Sequence, residues 1–426
     1  MKKYIDFSIY LALLSSTLIL TPSSYAQSQN PTYDKLETFA RVLSLVQNNY
    51  VEPVDEGELI YSSLKGMMNS LDPHSTFLTP NECKGLREDT TGEFGGVGVE
   101  VSMVGKKLTV MKVFERTPAS RAGIKEGDVI LTIDGEPAEN IGLVEAVTRM
   151  RGRVGSSLVI TVKRKGKTKP LSINLIRERI RIASVTGKLY DNKTGYIKIS
   201  IFQEDTNNQL RRKINEMLKS AGGKLEGLVL DLRKNPGGLL KEAVRVADNF
   251  LSKGVIVITR GRGAPDAVEE AHSGKTFSDF PIVVLVDGQS ASAAEIVAGS
   301  LQDHKRAIVV GAPTYGKGSV QTVIDMEDGS CAKLTIARYY TPSGRSIQEL
   351  GIQPDVIVPS KLSPEDIVAA QPREVDLERH FKNLEKEGEE IKRETDLASE
   401  DPQLYTAIRL LSRISLFVPK EEKEKK

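Results

Sequence analysis

The chain has 426 residues, 59 of them Lys or Arg and 57 Asp or Glu, for a net charge of +2. So even a balance provides no basic field for nucleic acid, and with no Trp and only 12 Tyr and 11 Phe there is little for base stacking. The length allows roughly two or three domains, while two cysteines and four histidines without ligand spacing provide no metal cluster.

The N-terminus places Lys2 and Lys3 before an apolar run from Phe7 to Leu20, then Ser24-Tyr25-Ala26. This is the pattern of a secretory signal with cleavage after Ala26. The run is shorter than the roughly 20 residues a helix needs to cross a bilayer core. Residues 27–92 read as a helical segment. Leu36, Phe39, Val42, Leu43, Leu45 and Val46 recur mostly at spacings of three and four, and Leu64, Met67 and Met68 repeat the pattern between Leu59 and Leu71. The turn LDPHS then breaks it at Pro73.

From Glu93 the period changes to two. GVGVEVSM, KKLTVMKVF and DVILTIDG predict strands, Gly142 to Met150 a helix, and SLVITVKRKGK a further strand. Residues 93–180 thus form one compact unit, of ordinary domain size. Over 181–360 strands and helices alternate: TGYIKIS, a helix from Asp205, LEGLVLDLR, a helix from Gly238, FPIVVLVDG, a helix from Ala291, then AIVVGA. That order predicts an α/β layered domain with a mostly parallel sheet. VQTVIDM and CAKLTIARYY, joined through Asp328-Gly329, predict a hairpin. Residues 361–426 are charged, with helices expected over Asp366–Ile391 and Gln403–Leu416 and a disordered end at PKEEKEKK. Cys83 and Cys331 fit either one disulfide or two buried thiols.

Three stretches could carry chemistry. GAPTYGKGS (311–319) nearly matches a phosphate-binding loop, but Gly318 stands where the magnesium-binding hydroxyl belongs and a strand follows instead of a helix. GQSAS (288–292) approaches the Gly-x-Ser-x-Gly elbow of hydrolases around Ser290, yet ends in Ser292. Ser292 is the better placed serine: it opens a helix directly after a buried strand, where free amides and the helix dipole favour an oxyanion. The same Ser292-Ala-Ala-Glu295 spacing is also a capping box. His304 lies three helical turns on, too far to serve as its base. Lys317 is the other candidate. A lysine acts as a base near pH 7 only when desolvated, and no carboxylate occurs between Asp303 and Asp325. For a lone lysine a solvated surface charge is the commoner reading. LVLDLRKNPGGLL (228–240) ends a buried strand at Arg233 and turns on Gly237 and Gly238, which either admit a ligand to the backbone or merely make the turn.

Taken together, LKGMMNSLDPHSTFLTP, PASRAGIKEGDVILTIDGEP, DLRKNPGG, SASAAEIVAG and TYGKGSVQT resemble the carboxyl-terminal processing peptidases, or tail-specific proteases, over nearly all of the exported chain. The resemblance implies a helical N-terminal segment, a PDZ domain inserted before a crotonase/ClpP-like α/β protease core, and a helical C-terminal extension. It implies Ser292 as nucleophile, Lys317 as general base and Gln321 as the residue that holds the lysine. It places the oxyanion hole at Gly238 and the amide of Ala293, and reads Glu295 as structural. It also implies a carboxylate-binding loop at Gly96, Val97 and Gly98, capture of protein tails there, and gating by the PDZ unit with Arg151 and Arg153 as switch residues. No metal, cofactor, nucleotide or nucleic acid is expected; a homo-oligomer, an adaptor protein and a periplasmic setting, inner-membrane-associated if the signal is retained, are compatible. The competing expectation is a PDZ-bearing scaffold with an inactive protease fold.

Overall fold

The computed structural model describes residues 31–274, 276–359 and 401–414. The expected signal, the helix over 366–391 and the charged end lie outside them. The chain divides into two compact units, residues 1–63 and 64–426. In the first, α1 (Pro31–Asn49) carries an exposed apolar row of Leu36, Phe39, Val42 and Leu45, and α2 (Glu56–Asn69) begins.

The second unit starts with the end of α2, strand β1 (Thr76–Leu78) and α3 (Pro80–Thr91). The apolar period does not reveal α3, because only Cys83 along it is buried. Its ends do: Thr79 and Glu82 form a capping box, Pro80 is the first helical residue, and Gly92 stops it at φ 70°. A short strand β2 (Glu93–Gly96) leads into the inserted β-rich unit. There β3 (Val99–Val104), β4 (Lys107–Val113), α4 (Pro118–Arg121), β5 (Val129–Ile133), β6 (Glu136–Pro137), α5 (Leu143–Met150), β7 (Ser157–Lys163) and β8 (Leu171–Ile176) follow in order. The strands form one sheet, β3-β4-β5-β7-β8, with β6 on β5. Alternate residues such as Leu158, Ile160 and Val162 close its core with Ile133, Ala146 and Met150. The return strand β9 (Glu178–Arg181) pairs antiparallel with β2, so a two-stranded ribbon carries the chain out of this unit and back. The sequence reading ran GVGVEVSM, residues 96–103, as a single strand. Instead Gly95 and Gly96 end β2, and Val97-Gly98, the latter at φ 83°, bend into β3.

The remaining strands and helices are β10 (Val185–Tyr190), β11 (Thr194–Ile199), α6 (Thr206–Ser220), β12 (Gly227–Asp231), α7 (Leu240–Asp248), β13 (Val255–Gly261), β14 (Ala267–Glu270), β15 (Ile282–Val286), α8 (Ala293–Asp303), β16 (Ala307–Gly311), β17 (Ser319–Asp325), β18 (Cys331–Tyr340), β19 (Val356–Ile357) and α9 (Pro402–Ile414). A six-stranded sheet runs β10-β11-β12-β15-β16-β19, parallel except for β10. LVL in β12 and IVVLV in β15 are apolar without alternation because both faces are covered. Leu228, Leu230, Ile282 and Val284 pack under α6, α7 and α8. Val229, Val283, Leu285 and Val310 face Ala407 and Leu411 of α9. A second, antiparallel sheet, β1-β18-β13-β14 with β17 on β18, includes the predicted hairpin. β1 meets β18 with Leu78 opposite Cys331, and Cys83 and Cys331 form a disulfide with Cα atoms 5.9 Å apart. The alternatives that sequence left open for the two thiols close here, because the pairing spans 248 residues and only the strand register brings them together.

Candidate active site

The α/β order delivers β12 and β15 side by side, and the turns at their C-terminal ends meet. Beyond β12, Asn235 is fully buried and organises its turn. Its Nδ2 donates to the Ile199 carbonyl at 2.8 Å, its Oδ1 accepts from Gly237 N–H at 2.9 Å, and its carbonyl accepts from Ala291 N–H at 2.9 Å. That last bond docks the turn onto the approach to α8. A Cβ on Gly237 would stand 2.8 Å from Ser292 Cβ and 3.1 Å from the Ala293 nitrogen, and one on Gly238 would stand 2.1 Å from the Phe202 carbonyl oxygen. Both positions also have positive φ, 103° and 129°, so glycine is required twice over. Among the described residues, no hydrogen-bond acceptor engages the amides of Gly238 and Ala293.

Ser290 and Ser292 have separate parts. Ser290 is fully buried, donates to the Leu232 carbonyl at 2.8 Å and accepts from Asp287 N–H at 2.9 Å, so it ties two strand ends together. Ser292 is only partly buried and has φ 54° and ψ −113°. An ordinary cap residue sits in the β region. This conformation costs about 1–3 kcal/mol and occurs where the surroundings impose it; a serine held on such a turn between strand and helix is the geometry of a nucleophile elbow. His304 closes the far end of α8 and bonds the Val255 carbonyl at 2.7 Å.

Lys317 arrives from the other side. Gly316 has φ 94°, and a Cβ there would stand 2.8 Å from the carbonyl carbon of Glu349; at Gly318 it would stand 2.6 Å from the Gln348 nitrogen. The two glycines let the segment lie flat against residues 348–349, with Lys317 partly buried between them. Gln321 follows on β17, on the face shared by alternate residues. Its Nε2 donates to Ser319 Oγ at 2.9 Å and to Thr335 Oγ1 at 3.2 Å. One extra residue, Ile336, bulges from β18 opposite, since Val320 pairs with Ala337 while Gln321 pairs with Thr335.

The residue joining the two halves is Glu295, fully buried in the first turn of α8. Its Oε2 accepts from Ser292 N–H at 2.7 Å and from Lys317 N–H at 3.0 Å; its Oε1 accepts from Gly316 N–H at 2.8 Å and from the Thr314 hydroxyl. The two amides that flank the chemistry are therefore held by one oxygen atom. Burial pushes the carboxyl up to about 7 against those four hydrogen bonds. The sequence shows no acid between Asp303 and Asp325, yet this carboxylate lies against the backbone of Lys317. Its reach back to Ser292 is legible as a capping box, but its reach to residue 317 is not.

In the inserted unit, Gly96 ends β2 beside the Met150 carbonyl, Val97 is buried with its carbonyl accepting from Ala119 N–H at 2.9 Å, and the Gly98 carbonyl accepts from Phe114 N–H at 3.0 Å. Arg151 stacks over Phe94 at 4.4 Å and reaches Glu88 of α3 at 3.4 Å.

A protein 42% identical to this one, the carboxy-terminal-processing protease of Bartonella bacilliformis, matches over 85% of this chain and 83% of its own length. The chain belongs to peptidase family S41. The family's own model matches residues 193–358, a PDZ model matches 95–175, and the N-terminal domain of the activating protease CtpB matches 14–81. The S41 chain is also 32% identical to the carboxy-terminal processing protease CtpB of Bacillus subtilis, over 83% of this chain and 74% of that one. A solved photosystem II D1 C-terminal processing protease is 30% identical, covering 79% of this chain and 89% of that chain at a TM-score of 0.47. This protein is a serine-type S41 peptidase with an inserted PDZ domain.

Proposed function

We propose that this peptidase is an exported endopeptidase that captures proteins by their C-terminal tails and cleaves them with a Ser292–Lys317 dyad. The observation that carries the reading is the strained backbone at Ser292, tied through Glu295 to the amide of Lys317. Neutral Lys317 takes the proton of Ser292 Oγ as that oxygen bonds to the scissile carbonyl carbon. The amides of Gly238 and Ala293 receive the oxyanion. Collapse breaks the C–N bond, and the lysine returns the proton to the leaving amine. Water, deprotonated by the same lysine, then hydrolyses the ester and restores the serine. Gln321 holds the lysine, and Gly96, Val97 and Gly98 present backbone to the tail carboxylate. The disulfide supports export, since such bonds persist in oxidising compartments, as does the signal pattern at the N-terminus. Among the described residues no helix is long and apolar enough to cross a membrane.

The test uses an unstructured protein with an apolar tail. Ser292→Ala is expected to abolish its cleavage while tail binding persists. Residual cleavage by the purified variant overturns the assignment of the nucleophile, and an inactive wild-type chain that still binds tails points to a scaffold.

A further inference from the structure

The turn after α2 takes no part in the chemistry so far, yet its acid is buried. Asp72 is 2% exposed. Its Oδ1 accepts from His74 N–H at 2.8 Å, Ser75 N–H at 2.9 Å and Thr335 Oγ1 at 3.1 Å; its Oδ2 accepts from Ser75 Oγ at 2.6 Å. Thr335 in turn donates its amide to Ser75 Oγ at 3.0 Å. The far partner of the Thr335 hydroxyl is Gln321 Nε2. An unbroken line of hydrogen bonds thus runs from the 71–75 turn, across β18, to the glutamine four residues beyond Lys317.

We infer that Asp72 and Thr335 are positioning residues for Gln321 and, through it, for Lys317. The inference rests on the dyad reading above. Its core is the direction of the protons. A carboxylate only accepts, so the single proton of the Thr335 hydroxyl is committed to Asp72. That oxygen can then meet Gln321 only as an acceptor, which selects the NH₂ end of the amide to face it. Ser319 Oγ accepts the second proton of Nε2. With both protons committed, the carbonyl Oε1 is what Gln321 offers to an amine or ammonium. Reversing the Thr335 hydroxyl would remove the reason for that orientation. The Ile336 bulge sets Thr335 opposite Gln321. The charged groups around the line are Lys317 and Glu295 at one end, and the buried Asp72 and partly buried Lys333 at the other; burial pushes Lys333 down, with Asp72 opposing.

The full-length protein carrying Thr335→Val keeps the shape of the side chain and loses the hydroxyl. Its kcat on an unstructured apolar-tailed peptide is expected to fall on the order of 10- to 100-fold, as for a misaimed catalytic group, with KM unchanged. A carbonyl acceptor favours the ammonium over the amine, so losing it also moves the rising limb of the kcat–pH profile to lower pH. Thr335→Ser restores both. A Thr335→Val enzyme with wild-type kcat and limb overturns the inference, and so does a Thr335→Ser enzyme as impaired as the valine form. If the valine form fails to fold, Thr335→Ala decides, because it removes the same hydroxyl without placing a methyl against Asp72; an unmoved limb then counts against the inference and a shifted one supports it. An active Lys317→Ala enzyme sinks the dyad reading and this inference together. An inactive one beside an unaffected Thr335→Val sinks only the inference.

Discussion

At the scale of single residues, Glu295 matters as much as the serine and lysine that it holds. Glu295→Gln keeps the size but turns an NH₂ toward the amides of Ser292 and Lys317 or of Gly316. Two buried donors left facing a donor cost about 1–3 kcal/mol each, so a loss of roughly 2–6 kcal/mol in chemical unfolding is expected, along with most of the activity. The pH dependence is a second readout. The folded carboxyl titrates near 7, above the ordinary value of about 4.3, so the native state binds a proton that the unfolded chain has released. Stability therefore declines as pH rises from about 4.5 to 7, and the glutamine variant should lose that slope. Part of this was readable beforehand. The helix after a buried strand brought Ser292 forward over Ser290, while the spacing Ser292-Ala-Ala-Glu295 read as a capping box. The other three donors on Glu295 and the line from Asp72 to Gln321 were not readable, because both join residues far apart in sequence, and the second depends on strand register and on the bulge at Ile336.

At the scale of elements, the alternating order of strands and helices was legible from apolar runs such as those of β12 and β15, as was the β17–β18 hairpin from its Asp-Gly turn. β13 and β14 were missed, since β14 is exposed throughout and carries no alternation to detect. The helix α9 shows how an element at the end of the chain supports the site. Arg233, two residues before Asn235, binds Asp231 through Nη2 at 2.6 Å and Asp401 through Nη1 at 2.8 Å, while Tyr196 donates to Asp231 at 2.8 Å. Asp401 also caps α9 by accepting from Leu404 N–H at 3.0 Å. Burial raises the Asp401 carboxyl, but the Arg233 guanidinium and the Leu404 amide outweigh it and hold it below its ordinary value. A carboxyl lowered in this way stabilises the fold at neutral pH and ceases to do so as pH falls through its folded pKa. Asp401→Ala should lower stability by about 1–2 kcal/mol at pH 7 and by progressively less in acid. Unfolding curves at pH 7 and pH 3 measure the difference.

At the scale of the molecule, the parts lie inside a covalent loop. Cys83 precedes the PDZ domain and Cys331 follows Lys317, so the bond between them encloses the PDZ domain, Ser292 and Lys317. A protease is exposed to cutting, by copies of itself and by others. A nick anywhere from residue 84 to 330 opens the loop without releasing a fragment, and the halves stay tethered around an intact sheet. Limited digestion should yield one band on a denaturing gel without reductant and two with it, and the nicked enzyme should keep activity until thiol is added. On this expectation the oxidised enzyme outlasts cuts in its own backbone, and a reducing environment shortens the working life of a cut molecule.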